Sequence, residues 1–242
     1  SGSTGQPRAV MVSHEALSNH REWAHRALAI SPGQCVLQFA SLCFDTALEE
    51  IVPTLTGGGT LVLRDCELMA NPARFWQRCT DAGVSVVDLP TAVWHLVAPY
   101  PPPSLIERVV IGGEAMSAEV ARRWLDHDAP PLLINSYGPT EAAIVSTARV
   151  VEDPDCGIGL PIPGVQATVL DPDLYPLARG VAGGLYLGGR GLAHGYLGDA
   201  RDTAQRFLPH PTGRGARLYR TGDQVRWHAG EYRFLGRLDR QV

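Results

Sequence analysis

Through the first 150 residues, short apolar runs alternate with segments whose apolar positions recur at helical spacing. The segment Ala9-Val10-Met11-Val12 predicts a strand, and Ser13 is placed to cap a helix that runs on toward Leu28. Further strands are predicted over 35–39, 60–63, 84–89, the stretch leading from 105 into 111, and 131–135. Helices are predicted over 46–55, 72–82 and 117–125, with Pro72 in a first turn and Gly83 ending its helix. Strands with no polar alternation, interleaved with such helices, imply a parallel sheet covered on both faces. The pattern then changes. From Val165 onward, short strands crowd together over 166–170, 184–187, 217–219, 224–227 and 232–235, with Gly and Pro between them and little helix. That is the pattern of a small antiparallel β unit. The expected organisation is an α/β core over 1–150, incomplete at its N-terminus, followed by a β-rich subdomain over 151–238.

Composition narrows the chemistry. The 242 residues are 45% hydrophobic and 19% charged, with 26 Gly and 19 Pro, which excludes a collagen-like, coiled-coil or disordered chain. The 21 basic residues against 25 acidic ones leave a net charge of −4, so no general nucleic-acid footprint exists. Every basic residue is Arg, and any ammonium a mechanism needs must come from outside this chain. The cysteines Cys35, Cys43, Cys66, Cys79 and Cys156 show no metal-finger spacing and read as small hydrophobes of a reducing, cytoplasmic compartment. Apolar stretches stop well short of the roughly 20 residues that a membrane span needs. The histidines form no convincing ligand pair, and the tryptophans read as packing residues. The opening glycine loop and the close shortly after a strand lead us to expect an internal segment of a longer protein.

Candidate chemistry begins at Ser1-Gly2-Ser3-Thr4-Gly5, where backbone amides and hydroxyls sit on a flexible turn ahead of a strand. Such a turn suits phosphate oxygens, although a Ser/Gly run alone is more often a linker. It is neither a P-loop nor a dinucleotide fingerprint. Other phrases follow in order: Phe44-Asp45-Thr46, Asn135-Ser136-Tyr137-Gly138-Pro139-Thr140-Glu141, Gly188-Gly189-Arg190-Gly191-Leu192-Ala193-His194-Gly195-Tyr196-Leu197, Tyr219-Arg220-Thr221-Gly222-Asp223 and Gly236-Arg237-Leu238-Asp239. Singly, Asp223 reads as a turn residue and Tyr137-Gly138-Pro139 as a plain loop. Together, in this order and spacing, the phrases resemble the adenylate-forming enzymes, and within them the adenylation domains of nonribosomal peptide synthetases.

That resemblance implies conversion of an amino acid and Mg-ATP to an aminoacyl adenylate and pyrophosphate. It also implies loading of the acyl group onto the phosphopantetheine thiol of a carrier protein. Attack of a carboxylate on a phosphate concentrates negative charge, so the catalytic task is neutralisation and in-line positioning. By resemblance, the Ser1–Gly5 turn (Ser1, Gly2, Ser3, Thr4, Gly5) holds phosphates, Thr140 bonds the α-phosphate, and Glu141 binds Mg2+. Tyr137 offers a face to adenine beside Gly113, Glu114, Ala115 and Asn135, while Asp223 accepts from the ribose hydroxyls and Arg237 lies near them. Asp239 corresponds to a hinge, making 239–242 the approach to a C-terminal lid. Partners are the amino acid and the carrier protein, with neither nucleic acid nor membrane.

The family reads its amino acid through one cavity, here Asp45, Thr46, Glu49, Asp88, Val110, Gly112, Ser136, Ile144 and Val145. Asp45 corresponds to the carboxylate that meets the substrate ammonium. Glu49 and Asp88 add two acids to a cavity that most relatives line with apolar groups, and neighbouring buried carboxylates raise one another's pKa. A substrate with a second ammonium relieves that conflict, so the expectation is lysine, β-lysine or ornithine. In the alternative, Glu49 faces solvent from its helix. One departure stands out: Pro7-Arg8-Ala9 replaces the family's Pro-Lys-Gly, keeping a positive charge but not a point-like ammonium. The segment by itself is expected to be inactive and marginally folded. Competing readings are an acyl- or aryl-CoA ligase of the same superfamily and a degenerate scaffold module.

Overall fold

The computed structural model describes residues 8–65, 67–211 and 215–238. The opening turn Ser1–Gly5 and the hinge residue Asp239 lie outside the described residues. In chain order the first elements are β1 (Val10–Met11), α1 (His14–Ala27), β2 (Cys35–Gln38), α2 (Thr46–Thr56), β3 (Thr60–Leu63), a 3-10 turn (Pro72–Arg74) and α3 (Phe75–Asp81). Next come β4 (Val86–Pro90), α4 (Thr91–Val97), β5 (Arg108–Gly112), α5 (Ala118–Leu125), β6 (Leu132–Tyr137) and a second 3-10 turn (Thr140–Ala142). The remainder holds β7 (Thr147–Val150), β8 (Leu160–Pro161), β9 (Val165–Leu170), β10 (Ala182–Gly189), β11 (Gly195–Tyr196), α6 (Ala200–Arg206), β12 (Phe207–Pro209), β13 (Arg217–His228) and β14 (Glu231–Arg237). Ser13 caps α1 as expected: the Ala16 amide donates to its Oγ at 3.1 Å.

Contacts divide the chain into two units, one of residues 21–136 and 149–156, the other of the rest. In the first, the α/β unit, β3, β2, β4, β5 and β6 lie side by side in that order, and the pairs are parallel. Strand pleating then sorts the side chains. Leu37, Val87, Leu89, Val109, Ile111 and Leu133 face a core with Phe75, Trp76, Trp94 and Trp124. The tryptophans pack on one another, Trp76 and Trp94 lying 5.8 and 5.9 Å from Trp124 between ring centroids. They are core, as the sequence suggests. The alternate positions, Asp88, Val110 and Ile134, line up in register across β4, β5 and β6 on the opposite face. That face carries the polar chemistry.

The second, β-rich unit is an antiparallel sheet ordered β12, β13, β10, β9, with β14 pairing β13 farther along the edge that β12 begins. Here the structure corrects the sequence reading. The strands predicted over 217–219 and 224–227 are one strand, β13, which runs through Thr221-Gly222-Asp223 without a turn. It absorbs the irregularity as register shifts against β10 and β14 instead. Helices α4 and α6 have no counterpart among the predicted elements. Asp199 begins α6, accepting from the Asp202 amide at 2.9 Å.

Candidate active site

In the β-rich unit, the segment after β6 turns sharply. Ala143 and Ile144 both adopt left-handed backbone, at φ 57° and 72°, directly after the Thr140–Ala142 turn. For a β-branched residue this is a genuine outlier, and such positions store roughly 1–3 kcal/mol each where the surrounding structure enforces them. The enforcement is visible. The Ser146 amide returns to the Tyr137 carbonyl at 2.8 Å. A Cβ on Gly138 would meet the Ile144 carbonyl at 2.1 Å, so only glycine fits there. Folding the loop back in this way holds Thr140 and Glu141 at its apex.

Two groups of polar side chains gather on this unit. Asp223, buried on β13, accepts from the Tyr137 hydroxyl and, at 2.7 Å, from Arg237 Nη1 on β14. Its own amide donates to Thr221 Oγ1 at 2.9 Å, fixing the backbone of the Thr-Gly-Asp phrase. Burial and the Asp223 charge hold the Tyr137 hydroxyl well above the usual phenol range, so Tyr137 remains a neutral donor. A carboxylate has about four lone-pair sites, which leaves Asp223 room to accept two hydroxyls more. The second group surrounds Glu141, whose carboxylate accepts from Tyr196 at 2.6 Å. Arg8, expected to bring positive charge to phosphate, pairs with Asp202 at 2.7 Å and lies 5.8 Å from the Tyr196 ring centroid.

In the α/β unit, Asp45 stands at the N-terminus of α2 without capping it, Thr46 begins the helix, and Glu49 sits in the first turn. Glu49 is 2% exposed, so the solvent-facing alternative is excluded. Burial chiefly, then the charges of Asp45 and Glu50, push its carboxyl up to about 8. Asp88, 5% exposed on β4, is raised well above the carboxylate range by burial, then by Glu49, Glu50 and Asp45. Asp88 Oδ2 is buried with no hydrogen-bond partner among the described residues. Glu50 differs. Its carboxylate accepts from the Phe39 and Ala40 amides at 2.9 Å and from Gln38 Nε2 at 3.0 Å, so it fastens the loop that leads toward Asp45.

The structure distributes the expected residues plainly. Asp45, Thr46, Glu49, Asp88, Val110, Gly112, Gly113, Glu114, Ala115, Asn135 and Ser136 belong to the α/β unit, whereas Tyr137, Thr140, Glu141, Ile144, Val145, Asp223 and Arg237 belong to the β-rich unit. Gly112 is required by its neighbour: a Cβ there would meet Ser136 Oγ at 2.7 Å. Ser136 Oγ donates to the Ile111 carbonyl at 3.0 Å. Sequence reasoning missed Thr91, whose buried hydroxyl donates to the Gly112 carbonyl at 3.1 Å and lies 3.3 Å from that of Glu114, holding the turn after β5. It also missed Glu50, Tyr196 and Tyr219. The tyrosines stand inside recognised phrases, which was the available signal. Among the described residues no group of three or more His, Cys, Asp or Glu is placed to hold a metal ion.

The AMP-binding enzyme family pattern matches residues 1–197. The chain belongs to the AMP-binding enzyme family. Relatives of this AMP-binding chain include phosphinothricin tripeptide synthetase PhsC from Streptomyces viridochromogenes, 44% identical over 100% of this chain and 22% of the relative. The isonitrile lipopeptide synthase of Streptomyces coeruleorubidus is 40% identical over 99% of this chain and 16% of its own length. Bacitracin synthase 3 from Bacillus licheniformis is 38% identical over 100% of this chain and 4% of its own. The AMP-binding chain thus spans between 4% and 22% of these relatives. Among solved structures, a four-domain nonribosomal peptide synthetase bound to AMP and glycine superposes with TM-score 0.89 at 28% identity, over 98% of this chain and 18% of that one. Another, containing adenylation and PCP domains and bound to a vinylsulfonamide inhibitor, gives TM-score 0.88 at 32% identity, over 100% of this chain and 44% of that one. The α/β fold with a parallel sheet and an antiparallel half-barrel is therefore the fold of that family, as the motifs predict. Among the described residues, no helix is long and apolar enough to cross a membrane.

Proposed function

We propose that this chain forms the nucleotide- and amino-acid-binding core of an ATP-dependent ligase that activates a cationic amino acid (lysine, β-lysine or ornithine) for nonribosomal peptide synthesis. A substrate carboxylate oxygen forms a bond to the α-phosphorus of ATP, and the bond to the pyrophosphate oxygen breaks. A carrier-protein phosphopantetheine thiol then takes the acyl group and AMP leaves. Family membership and the likeness to a synthetase structure bound to AMP and glycine support the activation step.

In this reading Asp223 accepts from the ribose hydroxyls with Arg237 alongside it. The hydroxyl tie from Tyr137 to Asp223 holds the ring against which adenine lies. Thr140 donates to the α-phosphate. Glu141 presents a carboxylate with lone pairs to spare after its tyrosine bond, which fits a hard cation that completes its shell with phosphate oxygens and water. Mg2+ bound there would supply neutralisation of the phosphate charge that grows as the new bond forms.

The substrate assignment rests on one observation: Asp45, Glu49 and Asp88 share an electrostatic neighbourhood in which Glu49 and Asp88 are fully inside the protein. Two buried carboxyls held protonated by burial and by each other are a poor lining for leucine or phenylalanine. An ammonium group lets both carboxyls ionise beside a counter-charge and gives Asp88 Oδ2 a donor. Val110, Gly112 and Ser136, with Thr46, complete the proposed lining within the α/β unit, the small residues leaving length for a four-carbon side chain. Pyrophosphate exchange by the full-length protein over an amino-acid panel tests the reading. Exchange driven by lysine, β-lysine or ornithine is expected, and a preference for leucine or phenylalanine overturns the cationic assignment.

A further inference from the structure

Glu141 is held at both ends by one short stretch of chain. Its carbonyl accepts from the Ala193 amide at 2.9 Å, and its carboxylate accepts from the Tyr196 hydroxyl at 2.6 Å, across 55 residues of sequence. Tyr196 is itself pinned. Its amide donates to Thr203 Oγ1 at 2.9 Å, and it stands opposite Val10 where β11 pairs antiparallel with β1. Its ring packs in a cluster with Ala193, Phe207 and Tyr219, 5.8 Å from the Phe207 centroid. The Arg8 guanidinium, anchored by Asp202, lies 5.8 Å from its ring centroid. A cation near a phenol face draws electron density from the ring and strengthens the hydroxyl as a donor. Tyr219 packs in the same cluster, near enough to Glu141 and Tyr196 for both to act on its phenol. The Glu141 carboxylate is thus oriented by a phenol whose own place is fixed by core packing.

We propose that Tyr196, with Tyr219 beside it and the Arg8–Asp202 pair buttressing its ring, is a positioning residue that orients the Glu141 carboxylate toward the divalent cation of the bound nucleotide. The proposal rests on the reading of Glu141 given above. Partners that orient a metal-ligating carboxylate are worth about 10- to 100-fold in metal affinity when removed.

The test measures Mn2+ binding by electron paramagnetic resonance, on the full-length protein with a non-hydrolysable ATP analogue. Glu141→Gln, Tyr196→Phe, Tyr219→Phe and the double variant Glu141→Gln/Tyr196→Phe are compared. Phenylalanine keeps the ring that packs in the cluster. Should Tyr196→Phe nevertheless fail to fold by its melting transition, Tyr219→Phe carries the same test. The expected result is a rise of about 10-fold in the Mn2+ dissociation constant for each Phe variant, with no further loss when Tyr196→Phe is added to Glu141→Gln. A change under about twofold in both Phe variants, beside a clear loss in Glu141→Gln, overturns the positioning role and leaves the Glu141 reading standing. Additive losses in the double variant also overturn it, because a merely structural role weakens binding whether or not the carboxylate is there. If Glu141→Gln itself binds Mn2+ normally, the Glu141 reading fails and the positioning role falls with it.

Discussion

Replacing Glu49 by Gln removes one acid from the buried group while keeping its shape, and the structure sets the size of the effect. The side chain is 2% exposed, and its carboxyl is pushed up to about 8. Breaking a buried ion pair by removing one partner loses roughly 3–5 kcal/mol. At pH 7, however, the wild-type carboxyl must first give up a proton across about one pH unit, which returns roughly 1 kcal/mol. The net loss for a diamino acid is then about 2–4 kcal/mol, or about 30- to 1,000-fold in kcat/KM. A neutral amino acid makes no such pair and should lose little. The assay is pyrophosphate exchange with lysine, ornithine and leucine from pH 6 to pH 9. For lysine, wild-type kcat/KM should climb about tenfold per pH unit until the Glu49 carboxyl has ionised near pH 8, and the variant should lack that rise. Equal losses for lysine and leucine, or a loss under about threefold for lysine, would refute the ion-pair reasoning.

Other consequences follow from the same geometry. Asp223→Asn removes the charge that the ribose hydroxyls meet in the proposed complex, and hydrogen bonds to charged groups are worth about 1.5–3 kcal/mol. KM for ATP in steady-state kinetics should therefore rise roughly 10- to 100-fold with KM for the amino acid unchanged. Gly138→Ala forces a Cβ to within 2.1 Å of the Ile144 carbonyl, so its melting midpoint should fall and its activity with it; an unchanged midpoint contradicts the folded-back loop. Because the folded protein keeps a Glu49 proton that the unfolded chain releases above its ordinary value of 4.5, stability should decline as pH rises from there toward 8. Saturating lysine should shrink that decline in a thermal-shift series, since the bound ammonium favours the ionised carboxyl.

Much of the fold was legible in the sequence, because the features that carried it are local. The strands of the parallel sheet are mainly apolar runs, Ser13 announces its helix as an N-cap, and Gly83 follows the end of α3. What failed was also local in cause. Gly222 has the composition of a turn, yet the pairing of β13 with both β10 and β14 carries the strand through it. Short helices such as α4 and α6, at 7 residues each, offer too few turns for a period to show. The acids Asp45, Glu49 and Asp88 were visible as residue types, but only the fold decides that Glu49 turns inward. Long-range ties were invisible. Tyr137 finds Asp223 across 86 positions and Tyr196 finds Glu141 across 55, and no periodicity encodes either meeting.

The reaction product is the most direct witness to the whole account. The full-length protein would be given ATP, hydroxylamine and an equimolar mixture of proteinogenic amino acids, β-lysine and ornithine, and the hydroxamates identified by mass spectrometry. Hydroxylamine intercepts an acyl adenylate and records which carboxylate was activated. The account predicts that the hydroxamate of a diamino acid dominates and that its formation requires ATP. A leucyl or phenylalanyl hydroxamate as the main product, or no ATP-dependent hydroxamate at all, would contradict it.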